Sequence, residues 1–214
     1  MSTAAEGPDR DCRLCPRLVA LRTAQRREHA DWHNAPVLSF GALSASLLIV
    51  GLAPGLRGAN RTGRPFTGDF AGDLLYATLG KYGFARGAYA AAGDDGLSLV
   101  DCRITNAVRC VPPENKPTPA EIAACRGFLA AEIAAMKNLQ AILALGRIAH
   151  DAALAALAKK KSLFVFRHGA VHQIADGLIL ADSYHCSRYN TNTAKLTARM
   201  FESVFEELRR LTAA

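Results

Sequence analysis

Four short apolar runs constrain most of what this chain can fold into: Ser46-Leu-Leu-Ile-Val-Gly51, Val100 to Thr105, Gln140-Ala-Ile-Leu-Ala-Leu145 and Leu178-Ile-Leu-Ala-Asp182. Each has the length of a strand buried on both faces of a parallel sheet. Helix-period stretches lie between and after them, at about 70–82, 118–136, 146–158 and 192–211. Such alternation predicts an α/β protein, a three-layer α/β/α sandwich around a central four-stranded, mainly parallel sheet. Ligands of such sheets bind beyond the carboxyl ends of the strands, so the segment after each strand is where chemistry is sought.

The 214 residues suffice for one domain spanning 1–214, with no internal repeat. Lys and Arg outnumber Asp and Glu by 26 to 19, a formal charge of +7, which suits a polyanionic partner. No stretch reaches the roughly 18 apolar residues of a membrane span. Residues 1–11 have no apolar core that could serve as a signal peptide, and the expected setting is a reducing, bacterial-type cytosol. Disulfides are disfavoured there.

Cys12 and Cys15 stand in Cys-Arg-Leu-Cys, while Cys110 and Cys125 flank the Pro-rich segment 111–119. Four thiolates so spaced can converge on one metal centre and clip the N-terminus to the body. Zinc and a 4Fe-4S cluster both accept such a set, and spacing alone admits either. Thr118-Pro-Ala-Glu121 reads as a capping box that starts a helix carrying Cys125. Cys102 reads as a small core residue of the second strand. His29, His33, His150, His168 and His172 read as surface or packing residues.

The loop after the first strand, Gly51 to Asp69, holds five glycines, Gly51 included, and three arginines, Arg57, Arg61 and Arg64. Gly58 and Gly63 have P-loop spacing, but Arg64-Pro65 replaces the Lys-Ser/Thr that triphosphate hydrolysis needs. Glycine backbone and arginine charge still suit phosphates. After the second strand, Asn106 is a turn former or an amide able to read a nucleobase edge. After the last strand, His185 precedes the polar turn Cys186-Ser-Arg-Tyr-Asn190, a setting that favours function.

These segments together resemble the family 5 uracil-DNA glycosylases (UDGb). The resemblance is carried by Gly51-Leu-Ala-Pro-Gly55 with Gly58 to Asp69, by Thr105-Asn-Ala-Val-Arg-Cys110 through Pro119, by Ser183-Tyr-His-Cys-Ser-Arg-Tyr-Asn190 through Thr193, and by Cys12-Arg-Leu-Cys15. It covers nearly the whole chain. It implies the uracil-DNA glycosylase fold, a 4Fe-4S cluster on Cys12, Cys15, Cys110 and Cys125, and a monomer that acts on damaged DNA at the bacterial nucleoid.

By the same resemblance, Asp69 and His185 are catalytic, and Phe66 stacks on an extruded base. Asn106 reads that base's pairing edge, and Gly51, Ala53 and Gly55 complete the base pocket. Arg57, Arg61, Arg64, Arg188, Tyr189 and Asn190 contact DNA, with Tyr189 the wedge that fills the vacated stack. Better-known members of the superfamily carry Gly-Gln-Asp-Pro-Tyr-His where this chain has Gly51-Leu-Ala-Pro-Gly-Leu56. Without that carboxylate and blocking ring, the expectation is catalysis by Asp69 and a pocket open to uracil and to hypoxanthine, xanthine or ethenocytosine. Cys186 is assigned no chemistry. The rival reading is a non-catalytic iron-sulfur protein that binds nucleic acid. A zinc-dependent base deaminase would need a His-x-Glu motif, which this chain lacks.

Overall fold

A computed structural model of the chain describes residues 7–212. The four expected strands are β1 (Leu47–Gly51), β4 (Cys102–Asn106), β5 (Ala141–Leu145) and β7 (Leu178–Ser183); β2 (Ala85–Arg86) and β3 (Ser98–Leu99) form a separate short ribbon. β1 pairs in parallel with β4 and β5, and β5 with β7. The main sheet nevertheless has five strands, in the order β4-β1-β5-β7-β6, because β6 (Val171–Ala175) runs antiparallel along the β7 edge. The expectation of four missed it for a physical reason. An edge strand exposed on one side, Val-His-Gln-Ile-Ala, carries polar residues and makes no apolar run. The usable signal was the two-residue turn Asp176-Gly177, with Gly177 at φ 66°, joining Ala175 to its partner Leu178.

Strand side chains alternate between two cores, which produces the three layers. Leu47 and Ile49 of β1 pack with Leu143 of β5 against Leu75 and Leu79 of α3 (Phe70–Lys81) and Phe201 and Phe205 of α7 (Ala198–Thr212). Leu48 and Val50 face the other way, with Ile142, onto Leu129 and Ile133 of α4 (Pro119–Ala135) and Ala149 and Ala153 of α5 (Arg147–Ala156). The capping box forms as read: Glu121 N–H donates to Thr118 Oγ1 (3.3 Å) and Thr118 N–H to Glu121 Oε2 (2.7 Å). The last helix starts later than expected because residues 188–192 form their own short turn, α6. Two further helices, α1 (Pro16–Glu28) and the single turn α2 (Ala59–Thr62), were not anticipated. α1 is dominated by charged and polar residues and offers little apolar periodicity.

Buried charge ties the layers together. Glu132 of α4 accepts from Arg103 Nε and Arg109 Nη2, each at 2.6 Å, which anchors β4 and the segment that leads to Cys110. Asp182 of β7, wholly buried, meets His150 Nδ1 at 2.7 Å and His172 Nε2 at 3.2 Å. These two histidines are therefore network members rather than simple packing residues. His150 Nε2 also faces the Phe164 carbonyl at 3.0 Å, so only an imidazolium donates to both of its acceptors.

Burial lowers the His150 pKa, but the bond and charge of Asp182 outweigh it and the net shift is upward. The resulting stabilisation is complete below the unfolded value of about 6.5 and is lost as pH rises through the higher folded value. Asp182→Asn should cost about 3 kcal/mol in urea unfolding at pH 6, since it strands a buried cation, and clearly less at pH 9. An equal penalty at both pH values would show His150 to be neutral throughout.

Candidate active site

The carboxyl ends of β1, β4 and β7 meet in one region, and the loops beyond them bring together residues far apart in sequence. Gly51 ends β1 where no side chain fits. A Cβ there would lie 2.5 Å from Phe66 Cζ and would also overlap Asn106 Oδ1. The bare glycine thus lets the Phe66 ring and the Asn106 amide close over the strand end. Phe66 is buried and adopts φ 56°, a left-handed conformation that a bulky residue takes only when its surroundings force it. Its carbonyl accepts from Tyr89 Oη (3.3 Å), its ring centroid lies 6.0 Å from that of His185, and the two planes are inclined by 26°.

Asn106 is 3 % exposed, and its amide has no hydrogen-bond partner among the described residues.

Asp69 caps α3: its Oδ1 accepts from Gly72 N–H at 3.0 Å, while Oδ2 lies against Gly55 and Gly58. The residue opens onto the cavity, yet enough protein surrounds the carboxyl that lost hydration raises its pKa, opposed by the N–H groups of Gly72 and Ala71. His185 follows β7, and burial pushes its pKa down to about 4. At neutral pH its ring is an uncharged imidazole with one N–H to give. Asn190 Nδ2 donates to the His185 carbonyl (2.8 Å) and fixes the turn that carries it.

Both side chains line one cavity of about 510 Å³, together with Ala53, Gly55, Asn115 and Arg188. That volume lies within the roughly 300–1,000 Å³ of small-ligand sites. The Cys186 thiol is buried in the core and points to the Ala71 carbonyl, 3.5 Å away.

The expected DNA contacts divide. Arg57, Arg61 and Arg188 are exposed, and Tyr189 is 74 % exposed at the start of α6, more than any other large apolar side chain among the described residues. Arg64 is a correction. It is buried, bonds to both oxygens of Asp95 (2.6 and 2.7 Å) and lies over the rings of Phe40 and Tyr76. A guanidinium so engaged is not available to a phosphate; it braces the loop that carries Phe66. Asn190 spends one amide N–H on the backbone of its own loop, which leaves its second N–H and its carbonyl oxygen for a ligand. Sequence reading missed Asn115, which reaches the cavity from the Pro-rich segment 111–119.

The four expected ligand cysteines, Cys12, Cys15, Cys110 and Cys125, line one apolar cavity with Leu18, Val108 and Phe128. Arg22 is buried beside them; it donates to the Cys12 carbonyl (2.7 Å) and to Cys110 Sγ (3.6 Å), and its Nε–H has no partner among the described residues. Burial raises the thiol pKa of Cys110 to about 12 and also raises those of Cys15 and Cys125. No three of these sulfurs lie within 4.8 Å of one another. Ala53 packs against this cluster and also lines the larger cavity, so the two centres share a wall.

The family model described as "Uracil DNA glycosylase superfamily" matches residues 38–209. Relatives named type-5 uracil-DNA glycosylase include those of Thermus thermophilus (45 % identical, covering 94 % of this chain and 93 % of the relative) and Mycobacterium tuberculosis (42 %, covering 94 % and 78 %). The Pyrobaculum aerophilum relative of that name is 39 % identical and covers 95 % and 88 %. With the sheet, the loops and the two cavities in place, these similarities over nearly its whole length mean that the chain belongs to the uracil-DNA glycosylase superfamily, in its type-5 branch.

Proposed function

We propose that this protein is a monofunctional DNA glycosylase that hydrolyses the N-glycosidic bond of uracil in DNA and leaves an abasic site. One observation carries the reading: a carboxylate, Asp69, and a neutral imidazole, His185, line one cavity of nucleoside size, while Phe66 and Asn106 close over the end of β1 beside them. Glycosylases take their target out of the stack, and a base extruded here would lie on the Phe66 ring with its pairing edge at Asn106. Water forms the new bond to C1′ as the C–N bond breaks, and the bonding pair leaves with the base. The His185 N–H stabilises the developing charge on the base, while Asp69 orients the water, accepts its proton and offsets the positive sugar.

Tyr189 is the exposed ring that enters the gap in the duplex, and Arg57, Arg61 and Arg188 hold phosphates, so affinity should fall as salt rises. No lysine lines the cavity among the described residues, so no Schiff base and no strand cleavage are expected. Ala53 and Gly55 put only small residues on the cavity wall, which supports turnover of hypoxanthine, xanthine and ethenocytosine as well. We place the enzyme, as a monomer, in the bacterial cytoplasm on nucleoid DNA. No helix among the described residues is long and apolar enough to cross a membrane.

Cys12, Cys15, Cys110 and Cys125 are assigned to a 4Fe-4S cluster. Four thiols lining one apolar cavity suit a single metal centre, and the resemblance to the type-5 enzymes favours the cluster over zinc. Arg22 supports an anionic group as well: among the described residues this buried guanidinium has an idle N–H and no salt bridge, and cysteine thiolates would match its charge. When bound, the cluster supplies a structural clamp on the N-terminal segment rather than chemistry at the base.

The test is excision from duplexes that carry uracil, hypoxanthine, xanthine or ethenocytosine, with alkali to reveal abasic sites and iron and sulfide analysis of the same sample. Alkali-labile ends are expected with uracil first; binding without such ends would leave the non-catalytic alternative standing. Gly51→Ala should keep the fold but push Phe66 and Asn106 aside, and single-turnover excision should fall by about 100-fold. An unchanged rate would show that neither residue needs its present position.

A further inference from the structure

Only Thr67 and Gly68 separate Phe66, whose ring closes over the end of β1, from Asp69, whose carboxylate lines the cavity. Whatever fixes this turn fixes the two side chains relative to each other. The turn does not hold itself: Phe66 and Gly68 both have left-handed backbone, φ 56° and 70°, and only the glycine takes it freely.

Thr67 supports the turn from inside, its Oγ1 donating to the Arg64 carbonyl (2.8 Å). Support from outside comes from Tyr89. Its Oη donates to the Phe66 carbonyl and accepts from the Gly68 N–H, each at 3.3 Å, so one hydroxyl spends its donor and an acceptor on the two ends of the turn. Burial pushes the Tyr89 pKa up to about 12, and the phenol keeps the proton it donates throughout the working range. Gly72 of α3 makes room for this contact. A Cβ there would overlap the Phe66 carbonyl oxygen and lie 2.7 Å from Tyr89 Oη.

Tyr89 is itself fixed from several sides. Its ring stacks on that of Tyr76 at 4.6 Å with the planes inclined by 19°, and Tyr76 Oη donates to the Pro65 carbonyl (2.7 Å). Asp95, from the same connection between β2 and β3, accepts from the N–H groups of Ala90 (2.9 Å) and Leu97 (3.1 Å) while both its oxygens hold Arg64. The Arg64 guanidinium lies 5.8 Å from the centre of the Tyr89 ring. The β2–β3 connection is thus clamped onto the loop 64–69, with the Tyr89 hydroxyl at its turn.

We infer that Tyr89 is a positioning residue of the site: its hydroxyl fixes the Phe66–Gly68 turn and so keeps the base-stacking ring and the water-orienting carboxylate in register. The inference rests on the glycosylase reading. Tyr89 is not among the residues that line the cavity, so it acts through the backbone of the turn rather than on the base.

Tyr89→Phe keeps the stack on Tyr76 and removes only the hydroxyl. Saturating single-turnover excision of uracil should fall about 10-fold, the scale of a small misplacement of reacting groups, while duplex affinity, carried by outward residues such as Arg57 and Arg188, stays near wild type. A brace that served stability alone would lower the urea midpoint and leave the saturating rate unchanged. A cycle with Asp69→Asn supplies the second reading. Once the carboxylate is gone there is less to align, so the Tyr89→Phe penalty should shrink to about threefold or less in that background. A Tyr89→Phe rate within about twofold of wild type, a penalty that persists in full beside Asp69→Asn, or weakened duplex binding at an unchanged saturating rate would overturn the assignment. Wild-type activity on the plain uracil duplex, run alongside, reports separately on the glycosylase reading.

Discussion

Asp69→Asn is expected to lower single-turnover excision of uracil by about 10²- to 10⁴-fold, the usual range for a positioned acid-base group, while duplex affinity stays within a few fold of wild type. The substitution is chosen because Asn caps helices as well as Asp does. Its oxygen can still accept from Gly72 N–H at the start of α3, so the loss reports on charge and basicity rather than on helix stability. The pH profile gives a second reading. Lost hydration outweighs the Gly72 and Ala71 N–H groups and raises the Asp69 pKa, and only the ionised carboxylate orients and deprotonates water. Wild-type rate should therefore rise with pH through a limb above the ordinary carboxylate value and then level off, and the limb should be absent in Asp69→Asn. A variant within threefold of wild type would move the burden of catalysis to another group on the cavity wall.

His185→Ala should cost about 10²- to 10³-fold in the same assay, the loss typical of one preorganised donor facing a developing anion. A ring with its pKa near 4 remains neutral over the working range, so its own protonation should leave no inflection near 6.5 in the wild-type profile. An inflection there that disappears in His185→Ala would mean that the ring works as an imidazolium. The penalty should also depend on the base. 5-Fluorouracil carries negative charge more easily than uracil, so its departure needs less help and should suffer less from losing His185. Because the ring also stands 6.0 Å from that of Phe66, a KM effect of either size would report on packing of the base and not on the leaving group.

How far the chain is legible without its structure depends on how far apart the interacting residues are. Strand positions in β1, β4, β5 and β7 follow from apolar composition within five or six residues, and the capping box at Thr118 from three, so these were readable and formed as read. The site residues were reachable because each follows a strand end and sits in a motif of consecutive residues. β6 was not, since an edge strand half open to water lacks the apolar run on which the reading relied.

Local order along the chain thus determined the layered sheet, the three loops at its carboxyl end and the four cysteines able to share one centre. Tertiary structure alone decided where the long polar side chains spend their hydrogen bonds. Arg64 reads as a phosphate contact until it meets Asp95, 31 residues away, and His150 reads as packing until it meets Asp182, 32 residues away. Asn190 turns its amide onto the His185 carbonyl, and Arg17 donates to the Lys116 carbonyl, 99 residues away, next to the Asn115 that lines the cavity. Apolar burial follows composition nearly residue by residue, whereas a charged or amide group is assigned by whichever partner the folded chain brings within hydrogen-bond reach.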